Sequence, residues 1–350
     1  MTVLVLGVGG NVSQGILKGL ALSGLSCRVV GACISPLSLG LYTVDRAYVS
    51  PRADDPAFLD WLLTVCRTDG VRAVLSGVEP VLAVLARHAN LIREQTGVVC
   101  IVSAPECLAI GDDKLLTCKW LKEHGFNFPR YADAQNRDDV ETLVKECGYP
   151  LIAKPRAGKG AHGLLQIHNQ EDLAFIAGQS GYVIQEYLGD SESEYTAGCF
   201  CDCEGGVRGT IVMRRDLLEG TTHRAEVGQF PRLRTEAARI AAALRPMGSC
   251  NVQMRVSNGR PVCFEINVRF SGTTPIRSRL GFNEVEAAIR HYVLGEPAWD
   301  LPEVTQGIAL RYWNEMYVEP EAADRLKQSK RLDNPKEYRL LVEDYGMRSS

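Results

Sequence analysis

The stretch that decides the fold reads VCFEINVRFSG and occupies residues 262–272. Alternate side chains of a strand point to opposite faces of a sheet. Glu265, Asn267 and Arg269 therefore share one face, and the phenylalanine, isoleucine and valine that alternate with them share the other. The apolar set predicts a side that faces the core, which leaves the polar set facing a cleft.

A second strand, CNVQMRVS (250–257), precedes this stretch and is predicted to pair with it as a hairpin. The turn contains Asn258-Gly259, a strong signal for a tight hairpin. The pairing brings Gln253 to the polar face beside Glu265 and Asn267. Carboxylate and amide oxygens suit Mg²⁺ that bridges phosphates, with water and substrate completing the shell. A solvated polar face is the alternative for such a strand.

Upstream lies a glycine-rich segment, YPLIAKPRAGKGAHG (149–163). It predicts a strand that delivers Lys154, followed by a loop that returns to another strand. Gly158, Gly160 and Gly163 let backbone amides approach a polyphosphate and allow the loop to move. A plain turn with solvated charges is the alternative.

The segment YVIQEYLGDSESEYT (182–196) predicts an apolar strand that ends at Glu186, Tyr187 and Leu188. The backbone carbonyl and amide of such a strand edge can bind the amino group and a ring nitrogen of adenine. Glu194 follows shortly and can accept from both ribose hydroxyls. An exposed acid in a loop is the alternative for Glu194.

The first hundred residues alternate strands with helices, which predicts a parallel, doubly wound sheet. The opening VLVLGVGGNVSQGILKGL (3–20) begins like a dinucleotide-binding unit, with Gly7 and Gly9 in place. Val12 occupies the third glycine position, and no acid ends the second strand to hold a ribose. A nicotinamide cofactor, and with it a dehydrogenase, is therefore disfavoured. The turn can still hold an anion at the helix N-terminus.

The composition, 45% hydrophobic and 23% charged with a net charge of −3, predicts an ordinary soluble protein without attraction to nucleic acid. No apolar run is long enough for a membrane span, and the opening apolar stretch is interpreted as a strand, not a signal peptide. Twelve cysteines without a CxxC pair predict reduced thiols in the cytoplasm. Cys199, Cys201 and Cys203 are interpreted as buried or half-buried free thiols in preference to a soft-metal site.

Together these spacings resemble the ATP-grasp superfamily, and most closely the carbamoyl-phosphate-synthetase-like branch that includes stand-alone amino-acid ligases. The resemblance implies an α/β N-terminal Rossmann-like (pre-ATP-grasp) domain over residues 1–108. An α+β ATP-grasp fold with antiparallel sheets follows over 109–300, with a lid subdomain at about 115–185. A C-terminal strand and a polar tail complete the chain over 301–350.

The resemblance also implies a role for each matching residue. The metal ligands are Gln253, Glu265 and Asn267, and Arg269 binds phosphate. The flap departs from the family pattern at Lys159 and His162, where small or hydroxyl residues are common. The residues that bind the nucleotide are Lys114, Lys154, Arg156, Gly158, Gly160, Gly163, Glu186, Tyr187, Leu188 and Glu194.

The implied activity is an ATP-dependent ligase that activates a small-molecule carboxylate as an acyl phosphate and joins it to an amine. Mg²⁺, or alternatively Mn²⁺, accompanies ATP, and a homodimer is expected. Arg269, Arg215 and His223 are the candidate catalytic residues. Strand alternation favours Arg215 over Arg214. His223 either positions the substrate or transfers a proton, and a loop histidine bonded to backbone is the alternative. Carboxyphosphate chemistry and a nucleotide-binding regulator without turnover are the alternatives.

Overall fold

The computed structural model describes residues 1–158, 163–189 and 194–342 of the chain. The strands of these residues form two six-stranded sheets, one four-stranded sheet and one two-stranded sheet. Among the described residues, no helix combines the length and the apolar composition needed to cross a membrane.

The N-terminal region contributes five parallel strands to its sheet, as predicted. Its strands are β1 (Thr2–Leu6), β2 (Arg28–Cys33), β3 (Arg46–Val49), β4 (Val71–Ser76) and β5 (Val99–Cys100), in the order β3-β2-β1-β4-β5. Its helices are α1 (Asn11–Ala21), α2 (Phe58–Asp69) and α3 (Glu79–Thr96). Strand β1 is buried along its whole length, which places it in the centre of the sheet.

The glycine turn after β1 differs in its packing from that of a dinucleotide-binding unit. Gly7 has φ +72°, a conformation that favours glycine, and a Cβ there would overlap Val78. Val12, at the third glycine position, packs against Gly77 of the neighbouring loop, where a Cβ would lie 2.3 Å from its side chain. In a dinucleotide-binding unit, the third glycine on the helix allows close packing against the neighbouring strand. Here the helix carries Val12, and Gly77 opposite it provides the space.

The second region contains a small four-stranded antiparallel sheet in the order β6-β9-β7-β8. Asp113 separates the first two helices and caps the second, because its side chain accepts from the amides of Leu115 and Leu116. The elements are α4 (Pro105–Asp112), α5 (Lys114–Glu123), β6 (Tyr131–Asp133), α6 (Arg137–Cys147), β7 (Leu151–Pro155), β8 (Leu165–Ile167), α7 (Gln170–Ile176) and β9 (Tyr182–Glu186).

The third region is built on a large antiparallel sheet in the order β14-β13-β10-β11-β12-β15. Helix α8 packs on it through Ala237, Ile240 and Ala241, which are fully buried. The elements are β10 (Glu194–Cys201), β11 (Val207–Leu218), β12 (Thr221–Val227), α8 (Pro231–Leu244), β13 (Gly248–Ser257), β14 (Arg260–Asn267), α9 (Thr274–Arg279), α10 (Glu284–Tyr292) and β15 (Gly307–Leu310).

The C-terminal region departs from the predicted single strand and polar tail. Its described part continues from β15 into β16 (Met316–Val318), α11 (Pro320–Ser329), β17 (Arg331–Asp333) and β18 (Arg339–Val342). Strand β17 pairs antiparallel with β3, so the N-terminal sheet is mixed and not wholly parallel as predicted. Leu326 and Leu332 are buried there, which explains why a mostly polar segment is ordered.

Candidate functional site

A cleft lies between the four-stranded sheet and the large antiparallel sheet. Residues from the separate sequence motifs converge there, as the resemblance implied. The predicted site residues that line it are Lys114, Lys154, Gly158, Glu186, Tyr187, Leu188, Glu194, Arg215, Gln253 and Glu265.

One end of the cleft is formed by the predicted hairpin, which the structure confirms. Gln253 of β13 lies directly across from Glu265 of β14. The amide nitrogens of Gln253 and Asn267 donate to the same oxygen, Glu265 Oε1, over 3.1 and 2.9 Å. A carboxylate flanked by two side-chain amides is an oxygen-rich donor set of the kind that binds Mg²⁺.

Arg269 follows this strand and is almost wholly enclosed, with its side chain 9% exposed. Its Nη2 donates to Asn267 Oδ1 over 2.8 Å and to Glu79 Oε1 over 2.5 Å. Burial lowers the pKa of Arg269, against the opposing effect of the Glu265 carboxylate. These two hydrogen bonds fix the orientation of the Arg269 guanidinium beside Glu265 and its flanking amides.

Two lysines stand on the opposite side of the cleft. Burial lowers the pKa of Lys154 to about 8, although the nearby Glu265 carboxylate acts in the other direction. The Lys154 ammonium also lies 5.0 Å from the centre of the Phe264 ring. Lys114, the first residue of α5, donates to the carbonyl of Gly158 over 3.1 Å. The sequence predicts Phe264 on the core face of the strand. Nothing in the neighbouring sequence indicates that this residue also lines the cleft.

The end of β9 forms the wall where adenine was predicted to bind. The Glu186 amide donates to the Arg130 carbonyl, and the Arg130 amide donates to Glu186 Oε1 over 2.9 Å. Glu186, Tyr187 and Leu188 all line the cleft. Gln185, which the prediction omitted, lines the same wall, and its amide donates to Cys118 Sγ over 3.1 Å.

Glu194 begins strand β10 and is 6% exposed, so it is not an exposed loop acid. Arg215 donates to Glu194 Oε1 over 2.7 Å, and Arg255 donates to Glu194 Oε2 over 2.7 Å. Arg215 also donates to Gln253 Oε1 over 2.8 Å. The predicted ribose acid is thus neutralised by two guanidinium groups, and Arg215 joins it to the oxygen-rich end of the cleft. Arg255 was not predicted.

Other predicted residues lie elsewhere. Arg156 points to the N-terminus of α5, where its Nη2 donates to Asp113 Oδ2 over 2.6 Å. These bonds lower the pKa of Asp113 despite burial, which would raise it. Gly163 packs against Pro155, and Gly160 lies outside the described residues. His223 is on strand β12 and lines a different cavity, so the structure does not bring it to the cleft that Lys154 and Glu265 line.

Two family models match the chain. One, described as PylC-like, N-terminal domain, matches residues 3–101. The other, described as ATP-grasp in the biosynthetic pathway with Ter operon, matches residues 179–316. The chain contains an ATP-grasp domain. The predicted family and fold are therefore confirmed, with a PylC-like domain in front of the ATP-grasp domain.

The relatives of this chain include a much larger enzyme. The carbamoyl phosphate synthase large chain of Neisseria meningitidis serogroup B is 26% identical over 307 residues, which cover 79% of this chain. The match covers 28% of that relative, so this chain spans less than a third of its length.

Solved structures share the ATP-grasp architecture at lower identity. The biotin carboxylase domain dimer of Hydrogenobacter thermophilus 2-oxoglutarate carboxylase, with MgADP, ADP and bicarbonate, has a TM-score of 0.65 and 17% identity and covers 84% of this chain and 70% of its own. The L-amino acid ligase of Bacillus licheniformis has a TM-score of 0.63 and 16% identity and covers 83% and 74%. At these identities the likeness concerns the fold.

The cysteines of the ATP-grasp domain form no metal site in the part of the chain that the structure describes. All twelve cysteines of the chain are free. Cys199 and Cys201 are buried in β10, as predicted, whereas Cys203 is exposed, which corrects the prediction that all three thiols are buried or half-buried.

Proposed function

We propose that this protein is an ATP-dependent ligase that joins a small-molecule carboxylate to an amine through an acyl phosphate. The observation that carries the proposal is the convergence of Lys114 and Lys154 with the Glu265 carboxylate and its two flanking amides in one cleft. Paired cations opposite an oxygen-rich group suit a triphosphate that arrives with a divalent metal.

The proposed reaction has two steps. A carboxylate oxygen of the substrate attacks the γ-phosphorus of ATP, and the bond from that phosphorus to the β,γ-bridging oxygen breaks to release ADP. The amine nitrogen then attacks the acyl carbon of the acyl phosphate. The carbon–oxygen bond to phosphate breaks, phosphate leaves, and the amine loses a proton to solvent or a nearby base.

The residues of the cleft would act by position and charge. Lys114, Lys154 and Arg269 would neutralise two anions that otherwise repel each other. Gln253, Glu265 and Asn267 would hold Mg²⁺, or alternatively Mn²⁺, which supplies further charge neutralisation on the phosphates. The segment from Glu186 to Leu188 would contact adenine.

Glu194 would accept from the ribose hydroxyls while its two arginines hold it in place. Arg215, placed between Glu194 and Gln253, would contact the polyphosphate. Flap residues around Gly158 and Gly163 would close over the nucleotide and exclude water from the acyl phosphate. Arg156 would act indirectly, because it orients the helix that begins at Lys114.

Carboxyphosphate chemistry is a second candidate, favoured by the similarity to a carbamoyl phosphate synthase chain. In that case bicarbonate takes the place of the organic carboxylate. We further propose domain boundaries at 1–108, 109–300 and 301–350, a homodimer, and a reducing cytoplasmic setting that matches the free cysteines.

The first experiment is a thermal unfolding series with Mg-ATP, with NADH and with no ligand. A ligand that binds only the folded state raises the free energy of unfolding by about 2.7 kcal/mol when its concentration is a hundred times its dissociation constant. We expect a shift with Mg-ATP that Lys154→Ala and Glu265→Ala both weaken, and no shift with NADH. A shift with NADH alone would overturn the proposal.

Turnover is tested by ADP release with paired organic carboxylates and amines, and with bicarbonate in place of the carboxylate. Release that needs both an organic acid and an amine supports the ligase. Release with bicarbonate alone supports carboxyphosphate chemistry. Nucleotide binding without ADP release under any pair would favour a regulator without turnover and overturn the proposed activity.

A further inference from the structure

A second cavity of about 570 Å³ lies on the other side of the β11–β12 hairpin from the cleft that we propose to bind the nucleotide, called the nucleotide cleft below. Leu217 lines the nucleotide cleft, and the next residue, Leu218, lines the second cavity. Successive strand residues face opposite sides, so the hairpin forms a wall between the two spaces. Helices α1 and α9 and strand β15 provide the other walls.

The polar lining of this cavity is strongly cationic. Lys18, Arg279 and Arg311 contribute positive charge, and His223 adds an imidazole. Glu219 is the one carboxylate among the described residues that line it. Burial, and then the positive charge of Arg311, lower the pKa of Lys18, and both cations line the same cavity. A cavity with this charge balance favours an anion.

The rest of the lining is apolar. Pro275, Ile276 and Leu280 line it from one side, and Ile308 and Trp313 from the other. Trp313 is 84% exposed and Ile308 is 76% exposed, although both are large apolar side chains. Exposed apolar surface concentrated at a concave site indicates a binding surface. The ligand that fits both properties carries a negative charge and an apolar or aromatic body.

One residue connects the two cavities. Thr222 Oγ1 accepts from Arg215 of the nucleotide cleft over 3.5 Å, and the Thr222 carbonyl accepts from Arg311 of the second cavity over 2.9 Å. Arg311 also donates to the carbonyl of Gly272, in the segment that follows Arg269. The anionic end of a ligand beside Arg311 would therefore lie next to the groups that handle the phosphates.

We propose that the second cavity binds a small organic acid with an apolar or aromatic body, as one of the two substrates of the ligase. This inference rests on the proposed function and assigns the substrate class of its second site. Lys18, Arg279 and Arg311 bind the carboxylate, and Trp313 with its apolar neighbours binds the body. His223, predicted as a catalytic residue, belongs to this site.

The test is a calorimetric titration without nucleotide, with three probes. These are 3-phenylpropionate, the neutral 3-phenylpropanamide of nearly the same shape, and acetate. We expect 3-phenylpropionate to bind about tenfold more tightly than either of the others, because one charge-assisted contact and the apolar body each contribute on that scale. Equal binding of the acid and the amide would overturn the proposal.

Three variants and one control locate the site. Lys18→Gln, Arg279→Gln and Trp313→Ala are expected to weaken 3-phenylpropionate by about tenfold each. Their binding of Mg-ADP should stay within twofold of the parent protein. Arg224→Gln removes an exposed arginine of the same strand as His223 and is expected to change neither affinity. If all three variants bind 3-phenylpropionate as the parent protein does, the binding site lies elsewhere and the inference is contradicted.

These outcomes are separable from failure of the proposed function. The titration contains no nucleotide, so it reports on the second cavity even if Mg-ATP does not bind at Lys154. If 3-phenylpropionate binds but no acid leads to release of ADP from ATP, the cavity is supported as a binding site and the proposed ligase activity is rejected. ADP release that Lys18→Gln and Trp313→Ala leave unchanged would keep the ligase and reject the cavity as its substrate site.

Discussion

Arg269 Nη2 lies 2.5 Å from Glu79 Oε1, so two residues 190 positions apart form one partly buried ion pair. Glu79 is the first residue of α3 and lies in the region matched by the PylC-like model. Arg269 lies in the region matched by the ATP-grasp model. The N-terminal domain therefore fixes the direction of an arginine beside the nucleotide cleft.

Removal of Glu79 is expected to destabilise the fold strongly. Glu79→Ala leaves the Arg269 guanidinium buried without its carboxylate, which costs about 3–5 kcal/mol when a buried pair is broken. Urea unfolding measures the change. Glu226→Ala is the matched control, because Glu226 pairs with Arg214 over 2.6 Å while both side chains are about half exposed. That pair should contribute about 0–1 kcal/mol. Equal losses in the two variants would show that the Glu79 pair is no more important than a surface contact.

Arg215 and its neighbour Arg214 provide a second matched comparison. Arg215 contacts both Glu194 and Gln253 through one guanidinium, which a lysine ammonium cannot reproduce. Arg215→Lys is expected to weaken Mg-ADP about tenfold, the effect of roughly one lost charge-assisted hydrogen bond. Arg214→Lys, on the exposed face, should leave the affinity within twofold. If both variants bind like the parent protein, Arg215 has no role in nucleotide binding.

Mg-ADP affinity should fall as the pH rises above about 8. Burial lowers the pKa of Lys154 to about 8, so its ammonium is present below that pH and is lost above it. A bound polyphosphate favours the charged form, and the affinity then declines by up to about tenfold per pH unit above the pKa. Titration from pH 7 to pH 10 measures the decline. Lys154→Arg keeps its charge throughout and should show a flat profile, whereas a decline of the same size in this variant would assign the effect to another group.

Cys203 should be the most reactive of the described thiols. It is exposed, whereas burial raises the pKa of Cys199 to about 11 and of Cys118 to about 12. Thiolate is the nucleophile, so buried thiols with raised pKa values react slowly. Iodoacetamide followed by peptide mass analysis should label Cys203 first, and Cys203→Ser should remove the fast phase. Early labelling of Cys199 would show that β10 opens readily.

The local features of the site could be predicted from the sequence because each depends on neighbours along the chain. Strand alternation placed Glu265 and Asn267 on one face, and the Asn258-Gly259 turn brought Gln253 opposite Glu265. The turn has the positive φ values, +50° and +73°, that these residues tolerate. Alternation likewise separated Arg215 from Arg214. These relationships follow from strand geometry, which fixes the direction of successive side chains before any tertiary contact forms.

Other features depended on contacts between distant segments, for which the chain carries no periodic signal. Arg156 pairs with Asp113 instead of lining the cleft, and Glu194 is enclosed by Arg215 and Arg255. His223 faces a second cavity because β12 pairs with β15, a strand more than eighty residues later.

The sequence by itself thus determined the kinds of elements, the polar face of the β13–β14 hairpin and the family. Only the tertiary structure decided which charges are neutralised and that β17 joins the N-terminal sheet beside β3. The physical reason is the distance along the chain over which each effect acts. Backbone geometry and turn chemistry act over a few residues, whereas burial and charge pairing depend on which surfaces meet when the whole chain has packed.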